Sequence, residues 1–294
     1  MTIMRIIPIT MLIALALTGH AQPLTISPAT VQTGETMQFR TRPGLGEADS
    51  GAEPFFQDGF ESGAKTNRNG FRWGDATFVT VSDIRARSGS YALRFRFKAR
   101  PVGQNNMAEQ RFDMGRYLSE LWLEYMLYVP ANYVHRNDQP NNNTFLVFWL
   151  DRYDGPGTWH AAIELLRRSD LESEARILAR KTTSNLVGNS RPEGIQWPRF
   201  IHPNGPVRIG EWTRIRVHLK ASSSWSADNG VFELWADSTL VFGHYTARFH
   251  NFDTAIPDAA LRRGYFMGWA NSGFTEDTDF FIDDVKFYDR NPGW

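Results

Sequence analysis

The chain has 294 residues, with 32 basic and 32 acidic side chains, no cysteine, and aromatic residues at 14%. A balanced charge excludes general affinity for nucleic acid, because no excess of cations is available to neutralise phosphates. The lack of cysteine excludes disulfide staples and thiolate metal sites, so stability must come from a large core rich in Phe and Trp.

In chain order, Met1–Arg5 form a short positive head and Ile6–Leu17 an apolar run broken only by Pro8 and Thr10. Thr18-Gly19-His20-Ala21 then offers small residues where a signal peptidase reads, so residues 1–21 are expected to be a signal peptide cleaved after Ala21. The run is too short to span a bilayer comfortably. Without cysteine no lipid can be attached at the cleavage site, and the mature chain is expected to be secreted or periplasmic and off the membrane. Residues 22–54 contain two short strand-like stretches and the turn-rich Pro43-Gly44-Leu45-Gly46, and are expected to form an N-terminal arm or linker.

Residues 55–294 are expected to form one β domain. Candidate strands cover 77–82, 91–98, 107–113, 121–129, 144–150, 159–167, 212–220, 230–236, 265–270 and 279–288, on their β-branched and aromatic content and partial two-residue period. Short strands in this number predict a two-sheet antiparallel sandwich. One short helix is expected over 169–179. Residues 185–210 carry four prolines and read as a long loop of the kind that binds or covers a ligand, with Trp197 as a stacking ring.

Two segments alternate cleanly. Arg94, Arg96 and Lys98 share one face of their strand, and Arg214, Arg216, His218 and Lys220 share another. These rows fit either a grip for a polyanionic glycan or an ordinary solvated sheet face. Glu109 and Arg111 share a face, where a carboxylate beside a guanidinium can orient sugar hydroxyls or a uronate. In the stretch 148–160, Trp149 and Tyr153 offer stacking faces, and Asp151, Arg152 and His160 offer polar groups. Asp58, Glu61, Asp283 and Asp284 are hard oxygen donors of the sort calcium prefers, and are the candidate ligands of a structural Ca2+. The segment 55–63 near the start answers the strand 279–289 near the end, so the two are expected to lie side by side.

Several phrases carry a resemblance. They are Asp58-Gly59-Phe60-Glu61-Ser62-Gly63, Ser88-Gly89-Ser90-Tyr91-Ala92-Leu93, Leu121-Trp122-Leu123-Glu124-Tyr125, Gly210-Glu211-Trp212-Thr213-Arg214 and Gly264-Tyr265-Phe266-Met267-Gly268-Trp269. Taken together, residues 55–289 resemble the secreted polysaccharide lyase-like proteins, heparin and alginate lyase relatives among them. The resemblance implies an all-β fold, a two-sheet antiparallel β-jelly roll of the concanavalin A-like type. It also implies β-elimination on a uronate-containing polysaccharide, in which a cation or amide neutralises the uronate, a His or Tyr takes the C5 proton and a Tyr or similar acid assists the leaving oxygen. Arg111 is the candidate neutraliser, His160 a candidate base and Tyr265 the catalytic-site tyrosine that is kept. Where such lyases carry Gln-x-His this chain reads Phe148-Trp149-Leu150-Asp151, and their Tyr-Phe-Lys-x-Gly-x-Tyr becomes Tyr265-Phe266-Met267-Gly268-Trp269-Ala270.

Two functions therefore stay open: a lyase, or a non-catalytic glycan-binding module of the same fold. A retaining hydrolase is disfavoured, because no Glu-x-Asp-x-x-Glu run pairs two carboxylates on one strand face. The expected partner is a polysaccharide or oligosaccharide, and the expected state is a monomer.

Overall fold

The first strand of the domain pairs with the last. Phe56, Gln57 and Asp58 stand opposite Phe287, Lys286 and Val285 in antiparallel register. The structure is a computed structural model that describes residues 51–133, 142–149, 161–166, 178–182, 207–224, 227, 229–247, 261–270 and 273–294.

In chain order the strands are β1 (Phe56–Asp58), β2 (Arg72–Thr77), β3 (Val79–Ser82), β4 (Ala92–Phe97), β5 (Asn106–Leu118), β6 (Glu120–Tyr128) and β7 (Asn142–Trp149). They continue as β8 (Ala161–Leu166), β9 (Leu178–Thr182), β10 (Trp212–Lys220), β11 (Gly230–Ala236), β12 (Thr239–Ala247), β13 (Leu261–Ala270) and β14 (Thr278–Tyr288). One sheet runs β12-β11-β10-β6-β14-β4-β3, with β1 also on β14; the other runs β2-β5-β13-β7-β8-β9. Every pairing between these strands is antiparallel. Among the described residues no helix is long and apolar enough to cross a membrane.

The sheets face each other across a core of stacked and edge-on rings. Phe287 of β14 meets Phe112 of β5 at 5.2 Å between ring centroids, and Phe112 meets Phe266 of β13 at 5.2 Å. Phe56 lies flat on Phe71 at 3.6 Å, which clips the first strand to the segment entering β2. Each fully buried ring contributes on the order of 2 kcal/mol by leaving water, and each ring pair about 1 kcal/mol more. The domain thus reaches stability without covalent staples.

Three departures from the expected elements have local causes. β2 contains Gly74 and Asp75 and shows a register shift between Trp73 and Ala76, so it lacks a strand-like pattern. β12 follows β11 through the tight turn at Asp237-Ser238, where Asp237 takes a φ of 54° without an Asn-Gly signature. Leu178 and Ala179, expected at the end of a helix, lie in β9; residues 169–177 of that expected helix lie outside the described residues.

The cationic rows of β4 and β10 lie on the outer face of the larger sheet and meet carboxylates there. Arg94 pairs with Asp279 at 2.5 Å, Arg96 and Lys98 with Asp277 at 2.9 Å, and Arg216 with Glu124 at 2.6 Å. His218 sits between Glu233 and Glu120, 2.7 Å from each, with its ring stacked 3.7 Å from Trp122. The partners come from neighbouring strands or, for Asp277, from the residue that leads into β14, so the rows act as ties across the sheet.

Candidate active site

The outer face of the smaller sheet gathers four of the residues singled out for chemistry, Glu109, Arg111, Trp149 and Tyr265. On β5, Ala108, Phe112 and Met114 enter the core, which leaves Met107, Glu109, Arg111 and Asp113 on the outer side. On β13, Phe266 packs in the core while Tyr265 clusters with Val147 and Trp149 of β7 on the opposite side. Tyr265 is the direct cross-strand partner of Arg111 on one flank and of Val147 on the other.

Arg111 is held through its Nε, which donates to Glu109 Oε1 at 2.6 Å. Glu109 is 7% exposed, so the ion pair is anchored at its acidic end, while the arginine side chain is 45% exposed. Gly74 of β2 leaves room for this arrangement, since a methyl there would stand 3.3 Å from the Arg111 Cβ. Tyr265 is 2% exposed and its ring centre lies 5.7 Å from that of Trp149, so Trp149 backs the tyrosine. At Gly268 a Cβ would come within 2.7 Å of the Tyr265 ring. Sequence reasoning passed over both glycines; their signal is a Gly inside a strand pattern, which marks close approach.

One end of this face is electrostatically tied. Asp113 accepts from Arg262 Nε and Arg263 Nε, both at 3.1 Å, and Arg263 is in register with Trp149. Burial alone would raise the Asp113 carboxyl, but the Gly115 N–H and the two guanidiniums outweigh it and hold it below the ordinary range.

Arg111, Tyr265, Glu109 and Trp149 therefore come together on one face. His160, Asp151, Arg152, Tyr153 and Trp197 lie outside the described residues.

The four carboxylates expected to hold calcium lie at the other sheet, around β1 and β14. Asp58 Oδ1 accepts from Phe60 N at 2.9 Å, and its Oδ2 from Thr66 N at 2.8 Å and Trp73 Nε1 at 2.9 Å. Glu61 accepts from Ser90 N and Tyr91 N, and Asp283 from Arg87 N, Ser88 N and Asp284 N. Asp284 accepts from Ser88 Oγ at 2.7 Å. Burial pushes the Asp283 carboxyl up to about 6 against these donors. Asp58, Glu61 and Asp284 line a cavity of about 390 Å³ that Lys286 and Arg68 also border. Their hard oxygens suit calcium, yet all three already accept hydrogen bonds from the protein, and among the described residues no trio of His, Asp or Glu is grouped as a ligand set. Asp283 stands outside the cavity wall.

Two antiparallel sheets over a shared aromatic core define a β-jelly roll, the fold of a broad class of carbohydrate-active proteins. Within that class a family model described as polysaccharide lyase matches residues 59–286. The chain belongs to the polysaccharide lyase family. Among solved structures it is similar to the alginate lyase vAL-1 from Chlorella virus, with 8% identity and a TM-score of 0.52 over 74% of this chain and 93% of that one. Other similar structures are the cellulose induced protein Cip1, with 14% identity, a TM-score of 0.48 and coverage of 80% and 97%, and a GH16 protein of Bacteroides ovatus. The latter is 12% identical with a TM-score of 0.49, over 79% and 99% of the two chains. No curated protein matches the sequence.

Proposed function

We propose that this chain is an exported lyase that cleaves a uronate-containing polysaccharide by β-elimination on the outer face of the smaller sheet. The observation that carries the reading is the cross-strand pairing of Arg111 with Tyr265, with Glu109 holding the arginine and Trp149 backing the tyrosine. Arg111 binds the uronate carboxylate and takes up the negative charge that builds there as the C5–H bond loosens. His160 removes the C5 proton. The freed electron pair forms the C4–C5 double bond, the bond from C4 to the glycosidic oxygen breaks, and Tyr265 gives that oxygen a proton. The burial of Tyr265 keeps bulk water from the donor.

One observation favours the second reading, a glycan-binding module without turnover. Where the lyase pattern has its lysine this chain has Met267, and Met267 is fully buried in the core. Alginate, glucuronan and heparin, incubated with the protein and followed by absorbance of the unsaturated uronate, separate the two. A rising signal that Arg111→Ala and His160→Phe each cut at least a hundredfold supports the lyase. Retarded migration in a polymer-containing gel, with no product, supports the module.

Calcium is proposed at the cavity bordered by Asp58, Glu61 and Asp284, with a structural role. Addition of calcium to chelator-treated protein is expected to raise the melting temperature, and an unchanged melting curve removes the ion from the account. Export is tested by the location and N-terminal residue of the expressed chain, expected to be Gln22.

A further inference from the structure

β13 carries an outward aromatic that the reaction does not use. Trp269 is 46% exposed, although burying an indole removes about 150–250 Å² of surface from water. Its register partner on β5 is Met107, which stands on the same outer side as Glu109 and Arg111. Trp269 therefore belongs to the face of the candidate active site.

Between Tyr265 and Trp269 the strand projects no side chain of its own on that face. Plain alternation would point Met267 outward, but Met267 takes a φ of 58° and turns into the core. Gly268, at a φ of 134°, contributes no side chain. A register shift against β7 between Phe266 and Ala270 accompanies the change, as expected of a bulge that re-aims side chains beside a functional site. What remains is a surface low over Gly268, where the Tyr265 ring lies against the backbone, with an indole at one end and the Glu109–Arg111 pair on the neighbouring strand.

We propose that the Trp269 end of this stretch is a second sugar-binding subsite, in which a pyranose ring of the polysaccharide stacks on Trp269 while a neighbouring uronate of the same chain lies at Arg111. The proposal rests on the glycan-directed reading above and extends it. Met107 and Arg111 are four residues apart on one strand, about 14 Å at 3.4 Å per residue. That is further than one sugar ring reaches, so Trp269 meets a different unit of the chain from the one whose carboxylate Arg111 neutralises. The subsite makes the protein selective for polymer over short oligosaccharide.

Binding of alginate, glucuronan and heparin, and of trimers made from each, is measured for the wild type, Trp269→Ala, Trp269→Phe and Leu240→Ala. Leu240 is 45% exposed on β12, in the other sheet, and controls for loss of any exposed apolar group. Trp269→Ala is expected to weaken polymer binding about tenfold, or 1.4 kcal/mol, with a much smaller effect on trimers. Trp269→Phe keeps most of the affinity, Leu240→Ala keeps all of it, and the melting temperatures stay together. Trp269→Ala binding polymer as tightly as wild type overturns the subsite, even where unsaturated product shows that the lyase reading stands. Binding without product overturns the lyase reading and leaves the Trp269 comparison to decide the subsite. A wild type that binds none of the polymers overturns both.

Discussion

At the scale of single residues, buried polar groups separate those that hold the fold from those that strain it. Asp58, 7% exposed, satisfies two backbone N–H groups and the Trp73 indole. Asp58→Ala leaves these donors without their acceptor and is expected to cost about 2–4 kcal/mol in urea unfolding. Tyr125 is the opposite case. Its hydroxyl is buried with no hydrogen-bond partner among the described residues, and burial drives its pKa well above the ordinary phenol value. Tyr125→Phe removes that polar atom without changing the ring, and is expected to leave stability unchanged or raise it by about 1 kcal/mol. A loss instead would reveal a partner for the hydroxyl. Gly268→Ala places a methyl 2.7 Å from the Tyr265 ring at a φ that disfavours side chains. Turnover of polymer is expected to fall at least tenfold, with Tyr265 displaced from its place beside Arg111.

At the scale of elements, the closure of the domain depends on β1 and β14 lying together. β14 pairs with β4 over residues 278–282 and with β1 over 285–287, and the change of partner falls at Asp283-Asp284, where Asp284 takes a φ of 50°. Phe56→Ala removes the ring that joins β1 to Phe71 and Phe287, and is expected to cost about 3–5 kcal/mol, read as a lowered denaturation midpoint. Asp113 of β5, flanked in register by Arg72 and Arg263, supplies a pH dependence. The Asp113 carboxyl is held below its ordinary value in the folded chain, so its stabilising contribution is present above the unfolded value of about 3.9 and is lost as pH falls through the folded one. The stability advantage of wild type over Asp113→Asn should therefore be full at pH 6 and shrink below about pH 4. An advantage that persists at pH 2 would contradict the pairing.

Sequence patterns reached some of these elements and not others. The strands 212–220 and 230–236 coincide with β10 and β11, because their alternation is undisturbed. The Glu109–Arg111 pair was legible for the same reason, as two residues on one face of one strand. The ties of β4 and β10 were not, because Asp279 of β14, Asp277 just before it and Glu124 of β6 are distant in sequence. The place of Met267 was hidden as well: a single left-handed residue inside a strand moves a side chain across the sheet, and nothing in the composition of 261–270 marks it.

At the scale of the molecule, the two outer faces differ in kind. On the larger sheet, Arg216 and Lys286 reach Glu124, and His218 reaches Glu120 and Glu233, within a surface that also carries Trp122 and Tyr288. On the smaller sheet, Arg111, Tyr265, Trp149 and Trp269 share one side, which the proposed reading makes the seat of glycan binding and cleavage. Mass analysis of the oligosaccharides released from a polyuronate in 18O-labelled water tests that reading most directly. β-Elimination predicts products one water lighter than hydrolysis gives, with an unsaturated terminal uronate and no label. Labelled products at the full hydrolytic mass, or a polymer left intact by protein that binds it, would contradict it.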